Sequence, residues 1–146
     1  MAGAALLGLA APASAGIQEA PYCQNDRGIQ TVVDTGPIKS ISTGTRVGTI
    51  FLCKEGSLYF AFPYYYATMG ANQTAQGWIK RYDNGSWVGE LNCDQEPGGN
   101  QRIKLGERRC WTPNLNGDAT RYTFRAVTEQ YSGNNLIARG ATAIGR

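Results

Sequence analysis

The sequence predicts an all-β domain, a disulfide-stapled β-sandwich or jelly roll of about eight short strands. Three observations carry this expectation. No window holds a helical period of apolar residues, whereas short β-branched and aromatic runs recur along the chain. Glycine, at 19 of 146 residues, exceeds its usual share of about 7% and punctuates those runs. Four cysteines, Cys23, Cys53, Cys93 and Cys110, make an even set, as a disulfide framework in an oxidising compartment requires.

Residues 1–15 (MAGAALLGLAAPASA) are apolar and uncharged, and they end in Ala13-Ser14-Ala15, a site of the kind signal peptidase cuts. They are read as a signal peptide. No Lys or Arg precedes the apolar run, as though the true start lay upstream. The run is shorter than the roughly 20 residues of a membrane helix, and no other apolar run of that length follows, so no membrane span is expected. Residues 16–36 are polar and read as an N-terminal arm tied down by Cys23; residues 37–146 read as a single β-sandwich domain.

Within that domain, residues 38–42 (IKSIS) alternate apolar and polar, and Thr43-Gly44-Thr45 turns the chain. Val47–Cys53 (VGTIFLC) has the β-branched, apolar character of a buried strand, and Lys54-Glu55-Gly56-Ser57 forms a second turn. Leu58–Thr68 (LYFAFPYYYAT) is the most aromatic stretch. Pro63 cannot donate a ladder hydrogen bond, so this strand is expected at an edge or broken by a bulge. Asn84-Gly85, between Trp78–Tyr82 and Trp87–Leu91, predicts a hairpin with a type I′ turn. A second hairpin is expected from Cys93 to Cys110, turning at Pro97-Gly98-Gly99-Asn100. Thr120–Tyr131 alternates, with Tyr122, Phe124 and Ala126 on one face, and Leu136–Ile144 closes the fold.

Four cysteines allow three pairings, and spacing alone does not choose among them. The reading adopted pairs Cys93 with Cys110, closing a hairpin-sized loop worth roughly 3 kcal/mol of chain entropy. Cys23 with Cys53 would then anchor the arm to a core strand. No compact spacing of the kind that marks structural zinc or a redox pair is present.

The chain contains no histidine, which removes Ser-His-Asp and Cys-His catalysis and His-ligated metals. Paired-carboxylate chemistry remains, with Glu55, Glu90, Asp94, Glu96, Glu107 and Glu129 as the groups available to it. Most of them fall in turns or at polar strand positions, where a solvated carboxylate is the default. No catalytic residue, metal or cofactor is therefore assigned. The net charge of +3 and pI of 8.7 fall short of the basic character of a dedicated nucleic-acid binder, so nucleic acid is not expected as a partner. Aromatics form 10% of the chain. Tyr64, Tyr65 and Tyr66 run consecutively, so at least one must point outward unless both sheet faces are covered.

The segment Thr45–Phe62 (TRVGTIFLCKEGSLYFAF), with Cys110-Trp111, resembles small secreted actinobacterial β proteins. With its arm ahead of the domain, the chain is also similar in architecture to the adaptor subunit of secreted umbrella-shaped toxin particles. That resemblance implies a non-enzymatic extracellular protein that docks other secreted proteins, such as scaffold or lectin-bearing subunits. Ile17, Tyr22 and Ile29 of the arm would fill pockets on the partner, as in strand addition, with Tyr64, Tyr65 and Tyr66 as further contacts. Two other uses fit the same composition: binding of carbohydrate or cell wall through exposed rings, and inhibition of a secreted enzyme.

Overall fold

Strands form where the sequence alternates, and turns form where glycine or asparagine takes positive φ. The structure, a computed structural model, describes residues 22–145. The strands are β1 (Cys23–Asn25), β2 (Gly28–Ser40), β3 (Arg46–Glu55), β4 (Leu58–Tyr65) and β5 (Gln73–Asp83), followed by β6 (Ser86–Asn92), β7 (Leu115–Asn116), β8 (Tyr122–Ser132) and β9 (Asn135–Ala141). The all-β class and both disulfides, Cys23–Cys53 and Cys93–Cys110, are as expected. The β5–β6 hairpin turns at Asn84 (φ 49°) and Gly85 (φ 84°), the positive-φ pair of a type I′ turn.

The strands make one nearly closed sheet in the order β6-β5-β8-β9-β2-β3-β4-β7, with β1 paired to β2. Every pairing between named strands is antiparallel. The wall of β3 and β4 packs over β5 and β8, so the closed sheet is sandwich-like in section. Residue alternation decides what each wall buries. Ile50, Leu52, Tyr59, Ala61 and Tyr65 point inward, and Ile79, Phe124 and Ala126 meet them from the opposite wall. Tyr59 stacks on Phe124 with ring centroids 4.1 Å apart. The Tyr65 hydroxyl shares a 2.8 Å hydrogen bond with Thr128 Oγ1, which donates to the Gln76 carbonyl. That chain satisfies the polar atoms of a buried tyrosine, as an interior site must.

The expected hairpin from Cys93 to Cys110 does not form. Pro97, Gly98 and Gly99 fall in a compact loop, and residues 101–112 form instead a strap that runs out along β5, turns at Lys104–Glu107 and returns along β4 to Trp111, whose carbonyl accepts from Asn100 N–H. Its backbone serves both walls. Ile103 exchanges two hydrogen bonds with Ala75, Tyr65 N–H donates to the Arg108 carbonyl, and Thr112 N–H donates to the Ala61 carbonyl. A hairpin would have left both wall edges unpaired, whereas the strap satisfies them. Pro63 sits at this seam, between Ala61 and Tyr65, whose N–H groups both turn toward the strap. Its missing donor therefore falls on the edge, and β4 pairs with β3 without a bulge.

Gly77 explains how closely the walls meet. A Cβ there would stand 2.9 Å from Pro63 Cγ and 3.2 Å from Cys93 Sγ. Gly77→Ala should lower stability by about 1–3 kcal/mol through overpacking, read as a fall in urea midpoint. An unchanged midpoint would show that the seam has slack.

Candidate functional site

Two surfaces gather residues with binding chemistry. The first is the hairpin of β1 and the start of β2, fixed from two sides. Cys23 is fully buried and bonded to Cys53 of β3. At the hairpin tip, Arg27 forks onto Glu55, with Nε to Oε2 at 2.6 Å and Nη2 to Oε1 at 2.8 Å. Asn25 and Asn114 side chains donate to the same carboxylate at 3.0 and 3.1 Å. This constellation holds the Glu55 carboxyl at a pKa of about 2, the Arg27 hydrogen bonds being the main cause, against the desolvation of partial burial. The hairpin so fixed presents Ile29 at 69% exposure.

The second surface borders a small buried core on the other side of β3 and β4, where Phe51, Phe60, Phe62 and Tyr64, none more than 7% exposed, pack with Cys23 and Cys53 apart from the main interior. Trp111 of the strap and Tyr66 border it. Beside them opens a groove of about 600 Å³ lined by Tyr64, Trp111, Arg108, Arg109, Asn100 and Glu107, among others. Its floor is fixed by hydrogen bonds. Arg108 donates to the Tyr64 hydroxyl and the Tyr66 carbonyl, and it lies over the Tyr64 ring. The Asn100 side chain accepts from Trp111 N–H at 2.7 Å.

The structure places the sequence-derived candidates unevenly. Ile17 lies outside the described residues. Tyr22 is half-buried and Ile29 is exposed on the hairpin. Of the three tyrosines, Tyr64 is buried in the second cluster with the half-buried Tyr66 against it, whereas Tyr65 lies in the main interior and its hydroxyl pKa is pushed up by burial. Arg108, Arg109 and Trp111 join this surface through the strap. Reading residues 93–110 as a hairpin hid their place.

Every carboxylate weighed for acid–base work has a structural partner. Glu55 holds the hairpin, and Glu90 pairs with Lys80 at 3.5 Å. Asp94 takes the Arg102 side chain at 2.6 Å and its backbone N–H at 2.8 Å, which hold its pKa below the usual carboxylate range. Glu96 accepts from Gln101, Glu107 from Lys104 N–H, and Glu129 from the Tyr131 hydroxyl. A general acid needs a raised pKa, and both resolved carboxylate shifts run downward. Among the described residues no group of three His, Cys, Asp or Glu side chains could hold a metal ion, and no helix is long and apolar enough to cross a membrane. Comparison with known proteins gave no matching family model, no matching curated sequence and no matching solved structure.

The hairpin clamp carries a pH signature. Because the folded pKa of Glu55 lies below its unfolded value, the clamp stabilises fully above about pH 4.5 and is lost as pH falls toward about 2. Across that window the wild-type urea midpoint should fall more steeply than that of Glu55→Gln. Parallel curves would contradict the clamp.

Proposed function

We propose that this protein is a secreted, non-enzymatic adaptor that docks another extracellular protein through its N-terminal arm, with the groove beside Trp111 as a second contact. The observation that carries this reading is the β1–β2 hairpin. A disulfide and a bidentate Arg27–Glu55 pair hold it rigid, yet the side chain it presents is an exposed isoleucine. Preorganising an apolar residue in water stabilises nothing in the free protein. It does lower the ordering cost of burying that residue against a partner. Tyr, Trp and Arg, which line the groove, are the residue types that dominate interface hot spots.

Two further features support export and a binding role. The two disulfides are typical of extracellular proteins, and residues 1–15 read as an export signal. The carboxylates serve as clamps, which agrees with a protein that binds without turning over its ligand. In such docking the exposed Ile29 would seat in a pocket on the partner. A toxin-particle subunit of the kind described above is one assembly that uses such a joint.

Ile29→Asp tests the reading at a site whose side chain is 69% exposed. The tagged variant and wild type are compared for capture of partners from the native culture supernatant. A stoichiometric secreted protein should co-purify with wild type and weaken at least about tenfold with the variant, while both proteins melt alike. A partner held equally by both would remove the arm from the interface, and wild type recovered alone would overturn the adaptor reading.

A further inference from the structure

A third surface lies on the outer face of β5, β8 and β9, away from the hairpin and the Trp111 groove. A groove of about 480 Å³ runs there, lined by Lys80 and Tyr82 of β5, Arg125, Val127 and Glu129 of β8, and Arg139 of β9, among others. Its charge is arranged at a cost to the fold. Lys80 and Arg125 are directly opposite neighbours in the β5–β8 ladder, a like-charge pairing that destabilises a sheet. Glu90 relieves Lys80 from the other side at 3.5 Å. Arg125 donates its Nε to the Thr142 carbonyl, and among the described residues no acceptor engages its two terminal nitrogens or the Arg139 guanidinium. Arg139 stands opposite Glu129, four residues along β8 from Arg125, so the two guanidinium sites are separated by about 13 Å of strand.

The same face carries rings. Tyr82 pairs across the ladder with Trp87 of β6, which is 55% exposed, and Trp78 sits on the same side of β5. Cations spaced beyond the width of one hexose, beside the exposed Trp87 and the half-buried Tyr82 and Trp78, match a polymer that alternates anionic groups with apolar ring faces. Guanidinium forks bind carboxylates in two-pronged fashion, and aromatic faces take the C–H side of sugar rings.

We propose that this face binds a uronate-bearing polysaccharide, with Lys80, Arg125 and Arg139 on the carboxylates and Tyr82 and Trp87 under the rings. This site is independent of the adaptor interface, and the Ile29→Asp variant should retain it.

The test uses polygalacturonate as the probe, with dextran as a neutral polymer and polyglutamate as an anionic one without sugar rings. Lys80→Gln/Arg139→Gln spares Arg125, which holds the C-terminal turn, and Trp87→Ala removes a ring already in solvent. Wild type should bind polygalacturonate more tightly than either control, and more weakly as ionic strength rises. The double variant should lose at least about tenfold in affinity and Trp87→Ala severalfold, with unchanged melting for both. Failure to bind polygalacturonate would overturn the proposal. Equal affinity for polyglutamate, or full binding by the double variant, would overturn it too.

Discussion

Neither β6 nor β7 reaches the start of β5 or the second half of β4, which would be left as open edges, and the strap over residues 101–112 pairs with both. It supplies the missing backbone partners to both walls at Ala75, Ala61 and Tyr65. The two ends of the strap meet at the chain leaving β6, where Cys93–Cys110 fixes the returning limb and Asp94 grips Arg102 of the outgoing one. Gln76 completes the junction by accepting from Cys93 N–H while its amide donates to Asp94. The interior depends on this closure. Ile103, Cys93 and Cys110 are all fully buried members of the core, so opening the strap would wet the barrel from its side.

The surfaces with binding chemistry inherit their geometry from that frame. Arg108, Arg109 and Trp111 stand beside Tyr64 only because the strap runs along the edge of β4. The opposite wall stays open to solvent on its outer face, and there the ladder of β5 with β8 sets cations side by side. Charge is used in two ways. Carboxylates tie loops down, as Glu55 and Asp94 do, whereas several cations are left facing water.

Much of the fold was legible in the chain. Asn84-Gly85 specified its hairpin because few residue pairs accept two successive positive φ values. Alternation in Tyr122–Ala126 identified the inward face, and Pro63 marked an edge. Both cysteine pairings are those adopted from the sequence, although spacing left three open and the hairpin expected around Cys93–Cys110 does not form. The strap was not legible. Pro97-Gly98-Gly99-Asn100 has turn chemistry, but local chemistry cannot say whether the flanking segments pair with each other or with distant walls. The candidate site divides along the same line. Ile29, named with Ile17 and Tyr22 as an arm contact, is exposed on the hairpin, whereas Tyr65 could not be told from Tyr64 until the register with β3 fixed which one points into the main core. Arg108 and Arg109 gained a role only from long-range placement.

The central claim is that the strap, held by Cys93–Cys110, closes the sheet and builds the groove beside Trp111. Native-state hydrogen exchange on Cys93→Ala/Cys110→Ala tests it most directly. The account predicts that the amides of Ala61, Tyr65, Ala75, Ile103 and Thr112 lose protection together, while the β3–β4 ladder around Phe51 and Phe62 keeps it. Seam amides as protected as in wild type would contradict the claim, and so would an even loss of protection across the whole sheet.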